Sequence, residues 1–358
     1  IIMNKKLVSL VAAVFMFATN AGAVDFSGKT VEWLIPFSPG GGSDKWSRFY
    51  APMLSKALPG NPNVVVNNCP GGGGTTCTNK FSTMKNGDGL TIYGDSGSVK
   101  FPYLLGDKRV KYEYKDWGKT IVLATPTGGV AYTSSKFYKS KADFKKLQGV
   151  SLKFGSNGAT SLDLIPLLAF EMLGLQVKPV FGMKGRGPSR VAFERGETTI
   201  DYQTTSSYKS KVTPMVKEGK AVPMFTWGVV NSSGTIERDP TFPNLPHWAE
   251  YYESVNGKKP SGPAFRVWKA FLTAGFSSQK MVFLPTGTDP AIVKAYRDAF
   301  VKVTKSAEFK KTRNKRLGVY NQVTGSGVEG ILKAAMIVPA DDLKWLKNFV
   351  TTKYGVKF

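Results

Sequence analysis

Histidine is nearly missing. The 358 residues include one, His247, and two cysteines, Cys69 and Cys77. Imidazole and thiolate supply most zinc ligands and many acid–base groups, so a resident metal centre or a hydrolytic site has little to be built from. Acids are also scarce, 25 against 49 Lys and Arg, which leaves a formal charge of +24. No G-x-x-x-x-G-K-[ST] phosphate loop is present, and no glycine run supplies all three positions of G-x-G-x-x-G, so neither nucleotide fingerprint is met. Beyond the N-terminus, no run is long and apolar enough to cross a bilayer.

What is present begins with an export signal. Met3-Asn4-Lys5-Lys6 is a basic start, Leu7 to Ala18 an apolar stretch, and Ala21-Gly22-Ala23 a small-residue cleavage site, with Ile1 and Ile2 preceding the start. Residues 1–23 are therefore expected to be removed near Ala23, leaving an exported protein that begins near Val24. About 335 residues remain, enough for two cores. The basic balance fits nucleic acid, an anionic surface or small anions. The charge is dispersed, dense only from Glu308 to Arg316, and no stacking motif accompanies it, so nucleic-acid binding is not favoured. Cys69 and Cys77 bracket a glycine run. In an oxidising compartment they are expected to pair, whereas as zinc ligands they are too few.

The chain is organised around Ile35-Pro36-Phe37-Ser38-Pro39-Gly40-Gly41-Gly42-Ser43-Asp44. A strand-like run, Thr30 to Ile35, precedes it. A helix follows, with apolar residues at Trp46, Phe49, Tyr50, Met53, Leu54, Ala57 and Leu58. Ser43 or Asp44 is expected to cap that helix. Strand, glycine loop and helix together aim backbone N–H groups and the positive helix end at one spot, which favours an anion.

The arrangement recurs at Val64-Val65-Val66 and the loop from Asn67 to Thr76. It recurs again at Leu152 to Gly155, the loop Ser156 to Ser161 and a helix over Leu162 to Leu173. Strands are also expected at Leu90–Tyr93, Ile121–Ala124, Gly129–Tyr132, Val177–Phe181, Ile200–Gln203, Met224–Val229 (leading back to the first domain) and Met281–Pro285. Thr125 to Gly128 is a candidate hinge. Asp289 is expected to cap a long helix, and the last helix is expected to start at Asp341. Strands alternating with helices predict an α/β chain with mainly parallel sheets, whose ligands sit beyond the carboxyl ends of the strands. Gly94-Asp95-Ser96-Gly97 matches the surroundings of a serine-protease nucleophile, but His247 stands in an unrelated proline-rich loop and no triad order is met.

The sequence resembles the substrate-binding receptors of tripartite tricarboxylate transporters, the Bug or TctC-like proteins. Ile35-Pro36-Phe37…Gly41-Gly42-Ser43-Asp44, Val65-Val66-Asn67-Asn68…Pro70-Gly71-Gly72-Gly73 and Asp88-Gly89-Leu90-Thr91-Ile92 carry the resemblance. So do Gly155-Ser156-Asn157-Gly158, Lys184-Gly185, Gly196-Glu197, Pro285 to Pro290 and the final helix with Trp345, all in order along the chain.

That resemblance implies a type II periplasmic-binding-protein fold: two α/β domains joined by two crossover strands, residues 24–126 plus 235–358 and residues 127–234. It implies a periplasmic monomer with no enzyme activity and no cofactor, an organic di- or tricarboxylate in the interdomain cleft, and delivery to large and small integral-membrane subunits. A ligand sensor for a membrane kinase is the alternative, and a secreted hydrolase is disfavoured. One wall of the cleft would be Phe37, Ser38, Gly41, Gly42 and Ser43 with Gly72, Gly73, Gly74 and Thr75. The other would be Ser98, Asn157, Ala159, Thr160, Ser161, Lys184 and Gln203. Many relatives carry an Asp that binds a ligand amine where Gln203 stands here, which argues for carboxylates over amino acids.

Overall fold

The computed structural model describes residues 24–231 and 233–358; the expected export segment lies outside the described residues. The first half of the first lobe runs β1 (Thr30–Ile35), α1 (Gly42–Ala57), β2 (Asn63–Asn68), α2 (Thr75–Ser82), β3 (Thr91–Gly94), α3 (Gly97–Leu105) and β4 (Ile121–Thr125). The chain then crosses into β5 (Gly129–Ser134), α4 (Phe144–Gln148), β6 (Leu152–Gly155), α5 (Leu164–Met172), β7 (Val177–Val180), α6 (Arg186–Glu194) and β8 (Ile200–Thr204). Short helices α7 (Thr205–Ser207) and α8 (Thr213–Lys217) lead to β9 (Ala221–Thr226) and the small ribbon β10 (Val229–Val230) and β11 (Ile236–Glu237). The rest is α9 (Trp248–Asn256), α10 (Gly262–Phe276), β12 (Lys280–Phe283), α11 (Pro290–Lys305), α12 (Ala307–Arg316), α13 (Val328–Ala335) and α14 (Ala340–Tyr354).

Two five-stranded sheets carry the molecule, ordered β2-β1-β3-β12-β4 and β7-β6-β8-β5-β9. The two orders are the same pattern. In each, the first three strands pair in parallel, and the fourth is inserted antiparallel to both neighbours. Four of the five strands in each sheet therefore run one way, so the sheets are mainly parallel as expected, each made mixed by the single inserted strand. The inserted strand is the one that has just crossed from the other lobe, so it enters against the local direction.

Those crossings lie side by side. Lys280 pairs with Thr125 in register, and Thr127 N–H donates to Phe276 O at 3.1 Å. The expected hinge, Thr125 to Gly128, is therefore one of two adjacent strands connecting the sheets. Met224 to Val229 does not lead straight back: the chain first builds α9 and α10. Their buried Trp248, Tyr251, Val267, Trp268 and Phe271 share a core with the second sheet, and the chain rejoins the first sheet at β12.

The α1 stripe is buried as its spacing predicts, with Trp46, Phe49, Tyr50, Met53 and Leu54 in the first core. Its cap differs from the expectation. Gly41 is the N-cap, and Asp44 instead lies in the first turn, accepting from Gly40 N–H (2.9 Å) and Arg48 Nε (2.8 Å). A carboxylate there satisfies a loop donor and complements the helix dipole.

Cys69 and Cys77 form a disulfide across the second glycine loop. Within it, Gly71 to Gly74 have φ of +154°, +57°, +71° and +106°. Only glycine holds four successive residues there without steric cost, which explains the run. Removing the disulfide by Cys69→Ser with Cys77→Ser is expected to cost about 2–3 kcal/mol of stability, the loop-closure entropy returned to the unfolded chain. Urea unfolding of variant and parent checks it.

Candidate functional site

Every loop at the carboxyl end of β1, β3, β6, β7 and β8 faces the gap between the sheets. Phe37, Ser38, Gly41, Gly42 and Ser43 line it from the loop after β1, and Ser96 and Ser98 from the start of α3. Asn157, Leu162, Arg186 and Thr204 line it from the second lobe, and Gln279 and Lys280 close its floor beside the crossings. The first-turn N–H groups of α1 and α3 have no intrahelical partners, so two positive helix ends converge here.

The lobes are in contact across this gap. Ser38 N–H donates to Lys184 O (2.8 Å), Ser206 Oγ to Gly42 O (3.2 Å) and Ser207 Oγ to Gly40 O (3.3 Å). Thr160 Oγ1 donates to Asp107 Oδ2 (2.9 Å), and Arg109 bridges Asp107, Gly72 O and Thr160. Glycine faces glycine where the loops meet: a Cβ on Gly41 would lie 3.1 Å from Gly187 N, and one on Gly42 would strike Thr204 Oγ1. With the walls so close, the free volume is about 20 Å³, room for a water or two and not for an organic acid. Entry of a larger anion requires the hinge to open.

Behind the second wall, Arg186 ties the lobe together. It is 8% exposed and donates to Gly155 O (2.7 Å), Tyr202 O (3.1 Å), Asp163 (3.4 Å) and Asp201. Its guanidinium lies 4.3 Å from the Tyr202 ring centroid. Asp163 in turn accepts from Ser156 Oγ (2.9 Å) and Asn157 N–H (2.6 Å), which sets the loop that presents Asn157 to the cleft. Asn157 Oδ1, Thr204 Oγ1 and Gln279 Oε1 are buried without a hydrogen-bond partner. Buried polar atoms without partners are costly, and all three residues belong to the cleft wall.

Beneath the floor, next to Lys280, lie Asp95 and Lys100, both buried. Burial pushes the Asp95 carboxyl up to about 6, opposed by Lys100 and by the Tyr114 hydroxyl. Burial also lowers Lys100 to about 8 against the pull of Asp95.

The expected site residues divide into three groups. Phe37, Ser38, Gly41, Gly42, Ser43, Ser98 and Asn157 meet in the cleft. Gly72, Gly73, Ala159, Thr160 and Lys184 line a neighbouring groove that shares Asn157 with it and is walled by Lys108, Arg109 and the C-terminal Tyr354 and Lys357. Gly74, Thr75, Ser161 and Gln203 line neither. Gly74 packs under Val99 and Phe37, while Thr75 and Ser161 bond back to Gly72 O and Gly158 O. Gln203 Nε2 donates to Arg186 O (2.7 Å) and Asp201 (3.0 Å), so the side chain facing the cleft is Thr204, one position on. The Gln203 amide is thus held inside the second lobe beside Arg186 and Asp201.

Sequence reasoning missed Ser96, Arg186, Thr204, Gln279 and Lys280. Ser96 caps α3, its Oγ accepting from Ser98 N–H (3.3 Å) and from Gln279 Nε2 (3.0 Å). His247 caps α9, with Nδ1 accepting from Glu250 N–H (3.3 Å), and makes no contact with Ser96 that would suit a nucleophile. Among the described residues, no group of three or more His, Cys, Asp and Glu could hold a metal.

Solved structures share this architecture. The periplasmic binding protein BugD matches with a TM-score of 0.69 and 18% identity, over 93% of this chain and 99% of that one. The resemblance to the Bug/TctC binding proteins holds in three dimensions. MatC from Rhodopseudomonas palustris, with bound malate, matches at TM-score 0.66 and 20% identity over 91% and 100% of the two chains. An R. palustris protein with adipate matches at 0.67 and 19% over 93% and 99%. At the level of sequence, a UPF0065 protein in the gbd 5′ region of Cupriavidus necator is 26% identical over 289 residues, 79% of this chain and 77% of that protein. No family model matches the chain. The chain has the type II periplasmic-binding fold of the Bug/TctC proteins.

Proposed function

We propose that this protein is an extracytoplasmic receptor that captures an organic dicarboxylate between its lobes and delivers it to a tripartite tricarboxylate-type permease. The observation that carries the reading is the convergence of two glycine-flanked helix N-termini and three unpartnered side-chain oxygens on one interlobe cleft. Malate and adipate in the two R. palustris structures support the ligand class.

In this mechanism the anion meets the open first lobe, where the N–H groups of Gly42 and Ser43 and the hydroxyls of Ser43 and Ser98 receive one carboxylate. Rotation about the paired strands at Thr125–Gly128 and Phe276–Lys280 then brings Asn157 and Thr204 against the other end. The closing contacts, Ser38 to Lys184 and Thr160 to Asp107 among them, form only when the lobes meet. A permease can therefore read closure from the composite surface. No bond in the ligand is broken; the protein is a carrier, not a catalyst. The overall positive charge speeds capture at low ionic strength.

Calorimetric titration of residues 24–358 with malate, adipate, citrate and aspartate tests the reading. One-to-one binding is expected, with malate or adipate the tightest of the four. Tight binding of an uncharged solute, with no carboxylate bound, would overturn it.

A further inference from the structure

Lys280 opens β12, the strand by which the chain re-enters the first sheet, and it forms part of the cleft floor. The residue is 2% exposed. Its ammonium donates to Ser43 Oγ at 3.2 Å, in the first turn of α1, and it belongs to none of the ion pairs among the described residues. The one buried carboxylate near it, Asp95, is shared between two buried lysines, Lys100 and Lys280. Lys100 of α3 donates to Ser278 and lies 3.8 Å from Asp95, whose other oxygen accepts from Tyr114 at 2.7 Å. Asp44 of α1 is held by Gly40 N–H and Arg48, and Arg186 of α6 by Asp163 and Asp201. One buried cation is thus left without an anion of its own, at the place where the helix ends converge. A buried charge lacking a counter-charge is destabilising, and an incoming carboxylate removes that cost.

We propose that Lys280 is the counter-ion of the cleft: it pairs with a carboxylate of the captured dianion and takes up a proton from solvent as that anion arrives. The inference rests on the reading of the cleft as a carboxylate site. Burial, reinforced by repulsion from Lys100 and opposed by Asp95, lowers the Lys280 ammonium to about 7. Above that pH the side chain is mostly neutral in the closed protein, and a carboxylate beside it favours the charged form again. Binding above pH 7 then consumes a proton, and affinity falls as pH rises, approaching about tenfold per unit. The free protein shows the opposite trend. Its unfolded state binds the Lys280 proton up to about pH 10 and the folded state only to about 7, so this residue adds stability as pH climbs between them.

The test is calorimetry with malate and adipate at pH 8 in two buffers of different ionisation enthalpy, which counts protons. Wild type is expected to take up about 0.5–1 proton per anion bound. Lys280→Met is expected to take up almost none and to bind at least about tenfold more weakly, yet to melt higher at pH 7 because the buried ammonium is gone. Zero proton uptake by wild type overturns the proposal, whether or not the variant folds. So does a variant that binds as tightly as wild type, or one that melts lower with uptake unchanged, which would mark a purely structural lysine. If neither anion binds wild type, the carboxylate reading falls and this one with it; if both bind wild type and variant alike, this one falls alone.

Discussion

Gly42→Ala is expected to weaken dicarboxylate binding about 10- to 100-fold while leaving the free protein folded. The added methyl would occupy the space of Thr204 Oγ1 in the closed form, with Thr204 Cβ only 3.2 Å away. Overpacking of this kind costs about 1–3 kcal/mol, and each 1.4 kcal/mol is about tenfold in affinity. The clash exists only across the interlobe gap, so the open form does not feel it and the melting temperature of the free protein should barely move. Thr204→Ala removes the opposing hydroxyl, and the double variant should recover much of the lost affinity. A double-mutant cycle by calorimetry measures the coupling. Additive losses would mean that Gly42 and Thr204 do not meet in the bound state.

Arg186→Met should destabilise the protein by about 3–5 kcal/mol, the usual consequence of breaking a buried ion pair from one side. Asp163 and Asp201 would both be left in a buried site, each fully enclosed, and the carbonyls of Gly155 and Tyr202 would lose their donor. Arg186→Lys should recover little, because a point ammonium cannot reach four acceptors on three elements while stacking on Tyr202. Urea unfolding followed by far-UV dichroism reads both variants. A loss below about 1 kcal/mol, the range of an exposed pair, would show that the cluster is solvated.

Much of the fold was legible because its signals are local. The stripe of α1 and the strand-loop-helix order around Gly40 to Asp44 need only near neighbours in sequence. Asp289 reads as a cap and is one, its Oδ1 accepting from Ala291 N–H at 2.7 Å. The mainly parallel sheets were legible, but the one reversed strand in each was not, because strand direction depends on where the chain crosses between lobes, which no local pattern encodes. Met224 to Val229 looked like a return strand for the same reason, whereas α9 and α10 bury their aromatics in the second core.

The candidate cleft divides along the same line. Gly41, Gly42, Ser43 and Asn157 announced themselves through glycine loops after strands. Lys280 did not: a lysine at the start of an apolar strand reads as a solvated end, whereas here it is paired with Thr125 of β4 and reaches Ser43 of α1. Arg186 sat in plain view between two glycines, but only Asp163 and Asp201, brought in by folding, make it a buried anchor. Gln203 and Thr204 show the cost of a one-residue error in a strand, where neighbours face opposite sides.

The central claim, that the interlobe cleft closes on a small organic dianion, is tested most directly by thermal shift. Residues 24–358 would be melted against a panel of mono-, di- and tricarboxylates at low and high salt. A dicarboxylate present at a hundred- to thousand-fold excess over its Kd should raise the apparent stability by about 3–4 kcal/mol, and the shift should persist in salt because the closed cleft excludes the screening ions. Small shifts with every polyanion, vanishing in salt, would contradict the account and leave only surface charge.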